Sequence, residues 1–394
     1  MERRTLLCAV GDVLIDEDDP EHGFSRVAPL LNAADVVFGN CEGVYTDRQE
    51  QAPSAGIAVI SPSHNIAGLG RAGFDVMSCA NNHIVDGGHG ALAETLRGLR
   101  NQGIEPVGAG RNIAEARRPA RLARGGQRLA FLAYSSFFPA GYEARENVPG
   151  LAPVRFHNHY FLGEGEVQNS PAAIPEVLVV PDPSDRSALV DDIRRAASEA
   201  DAVVVSFHWG EGLRPVVVFE YERETARLAI DAGACAVLCH HHHIVRGVDL
   251  YRGRPIFHGL GHFVFEIRHI ERLLPESTMR AMAGSSHEYA LGPREDYPLL
   301  PMHPETRMTM IATCEIVDGE VASAGVLPCY IEPDGMVTPL RPDTVRGAQV
   351  AEYLERIGVE AELGARLLRD DGFQLGGHPL LRVAAARSAD LQPA

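Results

Sequence analysis

The feature that most constrains the fold is a repeated pattern, in which a short apolar, β-branched run ends in polar residues. Continuous apolar runs of this length are typical of central strands that are covered on both faces. Segments with apolar residues at helical spacing, 91–103, 186–200 and 220–234, lie between these runs. Alternating strands and helices predict an α/β sandwich. The polar residues after the six runs are Asp12; Asn40 and Glu42; Asn81, Asn82 and His83; His208; His240–His243; and His258 and His262.

The polar residues predict one shared site, because ligands bind at the carboxyl ends of strands in open α/β sheets. Carboxylate, amide oxygen and imidazole are suitable ligands for a divalent cation such as Mn²⁺, Fe²⁺ or Zn²⁺. A set of six or more donors around a central carboxylate is large enough for two ions, which together can activate a bridging water. We therefore expect one or two cations. The candidate site residues are Asp12, Glu42, Asn82, His83, His208, His241 and His243.

Each candidate also has a structural alternative. Asp12 can cap a helix, and Asn81–His83 can form a turn, since asparagine tolerates left-handed conformations. His208 precedes Trp209, the one tryptophan of the chain, and can be a packed core histidine. These alternatives stay open at the level of single residues.

Four consecutive histidines, His240–His243, follow the apolar run ACAVLC. They lie mid-chain, which excludes a terminal affinity tag. If the backbone is extended, alternate side chains point the same way, so His241 and His243 converge while His240 and His242 face elsewhere. A solvated turn is the alternative.

Bulk properties narrow the class of protein. The net charge of −17 argues against binding to nucleic acid or to an anionic membrane. No apolar run is long enough for a membrane span or a signal peptide, so we expect a cytoplasmic protein. Seven scattered cysteines without a CxxC motif predict free thiols. A small-molecule or peptide-like substrate is expected, and the oligomeric state is open.

The chain shows no clear linker, and we expect one main domain over residues 1–340. Residues 142–185 are rich in Pro, Gly and Asn and predict an insertion that can cap the site. Residues 267–306 are also irregular, and Asp318-Gly319 predicts a hairpin. Residues 341–394 are expected to form a long helical segment and a frayed tail.

The order of the polar residues resembles the order of ligands in the calcineurin-like metallophosphoesterase superfamily. More closely, residues 5–335 resemble the CapA family, which is named for poly-γ-glutamate capsule synthesis proteins. The stretches that carry the resemblance are Gly11-Asp12, Asn40-Cys41-Glu42, Ala80–His83 with Asp86 and Gly88, Gly108-Ala109-Gly110, His208-Trp209-Gly210, His240–His243 and Leu260–Phe263.

This resemblance implies a four-layer αββα metallophosphoesterase-like sandwich. It also implies that Glu42 bridges two ions and that His83 protonates a leaving group or binds a substrate oxygen. Asp86 can orient His83 or cap a helix. The implied metal ligands are Asp12, Glu42, Asn82, His208, His241 and His243. Residues that can support these ligands or contact the substrate are Asn40, Asn81, Trp209, His240, Arg246 and His262.

Several positions depart from the family pattern. Leu14 stands where the wider superfamily has a histidine, so one metal site is a ligand short. His242 replaces a proline and Cys239 the preceding glycine, while His262 replaces an asparagine. These changes are expected in the pocket and can supply extra donors. Arg246 stands where glutamine is frequent and can bind a substrate carboxylate or phosphate, or form a surface salt bridge.

Three functions follow from these observations. The first is a soluble metal-dependent hydrolase, in which metal-bound hydroxide attacks a phosphoester or an amide or γ-glutamyl bond. The second is metal-dependent amide-bond formation or cyclisation in small-molecule or polyglutamate biosynthesis. The third is a non-catalytic partner of a polyglutamate synthase. Family members are often membrane-anchored, whereas the apolar runs of this chain predict no anchor.

Overall fold

The computed structural model describes residues 2–161, 175–268, 295–300 and 302–386. Helices and strands are numbered along the chain. The helices are α1 (Ala28–Leu31), α2 (Ile66–Ala72), α3 (Gly88–Asn101), α4 (Ile113–Ala116), α5 (Pro183–Glu199), α6 (Glu220–Ala232) and α7 (Val345–Glu360). The strands are β1 (Arg4–Leu14), β2 (Val36–Cys41), β3 (Val44–Tyr45), β4 (Ile60–Ser61), β5 (Val76–Ser78), β6 (Glu105–Val107), β7 (Ala109–Gly110), β8 (Ala120–Arg124), β9 (Gln127–Ser135), β10 (Gly150–Leu151), β11 (Phe156–Phe161), β12 (Glu176–Pro181), β13 (Ala202–His208), β14 (Ala236–His240), β15 (Val248–Tyr251), β16 (Arg254–Phe257), β17 (His262–Phe265), β18 (Met308–Val317), β19 (Glu320–Ile331), β20 (Val337–Pro339), β21 (Ala365–Leu375) and β22 (His378–Ala385).

Two large mixed sheets contain most of these strands. The first has ten strands, ordered β21-β22-β19-β18-β1-β2-β5-β6, with β17 beside β1 and β20 beside β19. The second has six strands, ordered β15-β16-β14-β13-β9-β8. In the first sheet β1, β2, β5 and β6 are parallel, and in the second β9, β13, β14 and β16 are parallel. Each sheet therefore presents several strand carboxyl ends at one edge.

The two sheets pack face to face and are covered by helices on their outer faces. Phe38 of β2 stacks on Phe131 of β9 with ring centroids 5.8 Å apart, within the core between the sheets. Buried residues of α2 and α3, such as Leu96, cover the first sheet. Buried residues of α5 and α6, such as Ile193 and Ile230, cover the second. The layers follow the order α, β, β, α, and the predicted α/β sandwich is confirmed.

Most predicted elements are confirmed with small changes at their ends. The six apolar runs form β1, β2, β5, β13 and β14, and β16 with β17; the three helical patterns form α3, α5 and α6. Asp318 and Gly319 have φ values of 47° and 93° and join β18 to β19, as the Asp-Gly hairpin signal predicted. All seven cysteines are buried and free. Within the described part of the chain, no helix has the length and apolar character needed to cross a bilayer.

The prediction for the C-terminal residues is partly wrong. Helix α7 ends at Glu360, and residues 365–385 form the antiparallel hairpin β21–β22 instead of continuing the helix into a frayed tail. Strand β22 pairs with β19, and Leu381 belongs to the core between the sheets. Burial against this sheet overrides the helical pattern of the segment. Residues 387–394 lie outside the described part of the chain.

The predicted insertion at 142–185 is more regular than expected. Strands β11 and β12 form an antiparallel hairpin, and α5 begins at Pro183, inside the predicted loop. Residues 162–174 of this insertion lie outside the described residues, as do 269–294 and Pro301 of the stretch predicted to be irregular.

Candidate metal centre

The candidate residues meet where strand carboxyl ends of the two sheets face each other. Asp12 lies near the end of β1, Glu42 follows β2, and His208 and His240 are the last residues of β13 and β14. A Cβ atom on Gly11 would lie 1.9 Å from the carbonyl oxygen of Gly261, so only glycine permits this approach of β1 to the residue before β17. The close approach places His262 beside Asp12, to which it is paired in the parallel β1–β17 register.

Two fully buried carboxylates, those of Asp12 and Glu42, lie at the centre of the site. Asn40 Nδ2 donates to Asp12 Oδ1 at 2.9 Å and also to Glu42 Oε2. Asn81 Nδ2 in turn donates to Asn40 Oδ1 at 3.1 Å and to the carbonyl of Cys41 at 2.7 Å. Asn40 and Asn81 therefore support the carboxylates through hydrogen bonds.

His208 joins the carboxylates to the Asn-Asn-His segment. Its Nε2 lies 2.6 Å from Asn82 Oδ1 and its Nδ1 lies 3.6 Å from Glu42 Oε2. Trp209 belongs to the core cluster beneath α5 and α6 and stacks on Phe207 with centroids 4.0 Å apart. The tryptophan is thus packed in the core next to His208, and its role in supporting the ligands or contacting a substrate stays a prediction.

The four histidines do not form an extended segment. Strand β14 ends at His240, and His241 and His243 have φ values of 90° and 56°, in the left-handed region that side chains rarely adopt. The condition for alternating side chains is therefore not met, and the inference from an extended backbone does not apply to this turn; His240, which was expected to face elsewhere, lies toward Asp12.

The turn directs three of the four imidazoles toward the carboxylates and His208. His240 Nδ1 lies 3.6 Å from Asp12 Oδ1, and His243 Nδ1 lies 3.3 Å from Asp12 Oδ2. The His241 ring lies 4.9 Å from the His208 ring and 5.8 Å from the His243 ring. His240 therefore faces Asp12, as His243 does, although the sequence pattern predicted that it faces elsewhere.

His242, the remaining imidazole of the turn, points to a different partner. Its Nε2 lies 3.2 Å from Glu222 Oε1, and Arg246 Nη1 lies 3.4 Å from both oxygens of Glu222. Arg246 also donates to the carbonyls of Glu211 at 2.6 Å and Arg214 at 3.1 Å. Arg246 is fully buried, so the surface salt bridge is wrong, and its contacts are those of a structural link rather than of a substrate-binding group.

His83 forms a dyad with Asp86 at the rim of the site. His83 Nδ1 lies 2.7 Å from Asp86 Oδ2, and Tyr142 donates to Asp86 Oδ1 at 2.7 Å. The backbone N–H of Val59 also donates to Asp86 Oδ2 at 2.7 Å. The side chain of Asp86 caps no helix, since α3 begins after Gly87 without a side-chain cap. The side chain of His83 is 15% exposed, so the ring reaches solvent.

The donor atoms form two groups, each able to hold a metal ion. One group consists of Asp12, Glu42 and His208, and the other of Asp12, His243 and His262; within each, the ligand atoms lie within 4.8 Å of one another. The residue common to both is Asp12, whereas the family resemblance implied Glu42 as the bridge. His241 and Asn82 adjoin these groups through their contacts with His208.

A cation fits this site because several buried polar atoms have no other partner. Within the described residues, the buried side-chain atoms at the site that lack a hydrogen bond are Asp12 Oδ2, Glu42 Oε1, Nδ1 and Nε2 of His240, His241 Nδ1 and His262 Nδ1. Buried polar atoms are nearly always hydrogen-bonded in native proteins, so such a cluster indicates a ligand.

The electrostatics of the site also favour a cation. Burial raises the pKa of Glu42 well above its usual range, and the charge of Asp12 adds to this effect. Burial opposes ionisation of Asp12 as well, but His240 and His243 lower the pKa of that carboxyl well below its usual range. Burial lowers the pKa of His208 and His262. Burial therefore favours the neutral forms of His208 and His262, which are the forms that ligate a metal.

Three residues that the sequence did not single out contact the candidate residues. Tyr142 binds Asp86 of the dyad, and Glu222 binds His242, which points away from the carboxylates; both come from distant parts of the chain. Phe137 is 50% exposed and its ring lies 4.2 Å from that of His241, which makes it an apolar wall of the site. No local motif marks these residues, because each acts through a contact that only the fold creates.

A family model described as bacterial capsule synthesis protein PGA_cap matches residues 6–267. The chain belongs to this family. The match includes all donors of both groups, and the resemblance to CapA proteins is confirmed.

Characterised and uncharacterised relatives agree with this assignment. The PGA biosynthesis protein CapA of Bacillus subtilis is 28% identical over 275 residues, 65% of this chain and 62% of the relative. The uncharacterized protein y4sH of Sinorhizobium fredii is 30% identical over 311 residues, 66% of each chain. A probable polyglutamine synthesis accessory protein of Mycobacterium tuberculosis is 29% identical over 246 residues, 60% of this chain and 58% of the relative. The chain thus spans less than two thirds of the length of these relatives.

Proposed function

We propose that this CapA-family protein is a metal-dependent hydrolase that cleaves a phosphoester or an amide or γ-glutamyl bond in a small-molecule or peptide-like substrate. The observation that most supports this is that buried ligand atoms, several of them without a hydrogen-bond partner, converge on Asp12. They lie beside the partly exposed dyad of His83 and Asp86. When bound, one or two of Mn²⁺, Zn²⁺ or Fe²⁺ supply Lewis acidity and an activated water.

The residues around the centre have separate tasks in this reaction. Asp86 binds Nδ1 of His83 and so leaves Nε2 free to donate a proton to the leaving group. Tyr142 and the Val59 N–H fix the orientation of Asp86. Phe137 offers an apolar contact to the substrate and shields His241 from water.

The names of two relatives support a second candidate function. One is a biosynthesis protein and another a probable accessory protein, which favours a non-catalytic partner of a polyglutamate synthase. In that case the chain co-purifies with a ligase subunit, and His83→Ala changes no rate.

The test is hydrolysis by metal-loaded protein of two panels, one of phosphoesters and one of γ-glutamyl peptides. We expect His83→Ala to lower kcat by about 10²–10⁴-fold at unchanged metal content, because it removes a general acid and no ligand. Asp86→Asn is expected to lower kcat by less, since His83 is retained but its ring is no longer oriented by a carboxylate.

The matched control is His64→Ala, which removes an exposed imidazole outside the site and should leave kcat unchanged. Cleavage of one panel alone assigns the bond type. A protein that binds the cations but hydrolyses neither panel contradicts the proposal and favours the non-catalytic partner.

A further inference from the structure

His262 occupies a fixed position beside the central carboxylate. It is the first residue of β17, and its parallel pairing with β1 sets it opposite Asp12. Its ring stacks on Phe265 with centroids 4.1 Å apart and an interplanar angle of 6°, and it is fully buried. Thr309 donates to its carbonyl oxygen, which anchors the backbone at the same point. The ring is thus held in place before any ligand binds.

The edge of this ring faces two other donors. His262 Nε2 lies 2.8 Å from His243 Nδ1, which itself lies 3.3 Å from Asp12 Oδ2. Two neutral imidazoles can share one proton between these nitrogens, but the pair then competes with Asp12 for the same hydrogen. A cation satisfies all three lone pairs at once, as in other sites with two histidines and one carboxylate.

Leu14, two residues after Asp12 on β1, carries no metal donor. Leu14 is buried among apolar residues of the core beneath α2 and α3. Its neighbour across the β1–β17 ladder is Phe265, while His262 lies opposite Asp12. A donor missing from β1 is therefore available from the adjacent strand.

We infer that His262 is a metal ligand and completes, with Asp12 and His243, a second divalent-cation site of the two-histidine, one-carboxylate type. The inference rests on the proposed metal centre and adds to it a ligand from β17. Cations of this site type include Fe²⁺, Mn²⁺ and Zn²⁺.

The test is a metal count and titration of the full chain with Mn²⁺, Fe²⁺ and Zn²⁺, by elemental analysis and calorimetry. We expect His262→Asn to remove one of two equivalents or to weaken it by more than about 100-fold, because loss of a ligand exceeds the loss of a supporting contact. His208→Ala is expected to remove the other equivalent. The visible spectrum of the Co²⁺-loaded protein should also differ between the wild-type chain and His262→Asn, because the substitution alters the ligands of one site.

The matched control is His258→Asn, a substitution of a buried histidine four positions earlier that lies in neither donor group. It should retain both equivalents. If His262→Asn leaves both the metal count and the metal affinity unchanged, the inference is wrong and the proposed function stands. A wild-type chain that binds none of the three cations overturns both.

Discussion

Two buried clusters meet at the turn His240–His243, and they differ in whether both oxygens of their carboxylates are hydrogen-bonded. The candidate metal centre contains Asp12 and Glu42, each with an oxygen that lacks a hydrogen bond among the described residues. In the second cluster, both oxygens of Glu222 are bound, by Arg246, His242 and the backbone N–H of Phe219. The sequence places these histidines side by side, yet the two clusters have opposite chemical character.

The comparison shows how a buried charge can be assigned a role. A carboxylate opposite an arginine is compensated within the protein, and such a pair fixes the geometry of the loops that it joins. The carboxyls of Asp12 and Glu42 each keep one oxygen without a hydrogen bond among the described residues, and a bound cation would compensate them. The hydrogen-bond partners of a buried carboxylate therefore help to separate a structural cluster from a ligand site, which the residue type alone does not do.

The largest expected effect is that of Asp12→Ala on metal content. Because Asp12 is common to both donor groups, its removal should abolish binding of both cations, whereas His208→Ala should affect only one. Elemental analysis of the purified variants measures this directly. Asp192→Ala is the matched control, since Asp192 is also buried but is bound by Arg117 at 2.6 Å and Tyr134 at 3.1 Å. If the Asp12→Ala variant still binds two equivalents of metal, the proposed difference between the two clusters is wrong.

A substitution in the second cluster should lower the free energy of unfolding and leave the metal content unchanged. Glu222→Ala leaves the buried guanidinium of Arg246 without a counter-charge, which costs about 3–5 kcal/mol of unfolding free energy. Denaturant unfolding of the metal-free protein measures the loss, and saturating metal content should stay unchanged. Glu220→Ala, at an exposed position on the same helix, should change stability by less than about 0.5 kcal/mol. A stable Glu222→Ala variant that fails to bind metal would contradict the structural role.

The positions of Asp12, Glu42 and His208 could be predicted because each follows a continuous apolar strand. In an α/β sandwich the strand type alone brings such residues to one edge, and no long-range contact needs to be known. Asn40 and Asn81 followed from the same pattern, since Asn40 lies at the end of β2 and Asn81 comes shortly after β5. The fold and the core of the site therefore depend on local signals.

The remaining features depend on contacts that no local signal encodes. Left-handed φ angles at His241 and His243 occur without glycine, so nothing in the local sequence indicates that the backbone leaves the extended region. The role of Arg246 depends on Glu222, 24 positions earlier. The β21–β22 hairpin contains residues that also suit a helix, and its pairing with β19 decides between the two.

Another buried carboxylate, that of Glu266, sharpens the comparison because only one of its two oxygens has a hydrogen-bond partner. Its Oε2 accepts the N–H of Asp16 at 2.7 Å, while Oε1 has no partner in the ranges that the structure describes. Glu266 belongs to neither group of converging donors, so we expect it to titrate rather than bind metal. Burial raises its pKa from 4.5 to about 7.

The folded chain therefore binds a proton that the unfolded chain has released between pH 4.5 and about 7. Stability should fall as pH rises through this window and level off above it, with a total contribution of about 3 kcal/mol. Glu266→Gln cannot ionise and should remove this slope when unfolding free energy is measured from pH 4.5 to 8. Glu305→Gln, an exchange on the short helix Pro304–Arg307, is the control and should keep the slope. If Glu266→Gln also keeps the slope, Glu266 is not the titrating group. In that case an oxygen without a hydrogen-bond partner does not by itself distinguish a proton site from a metal ligand.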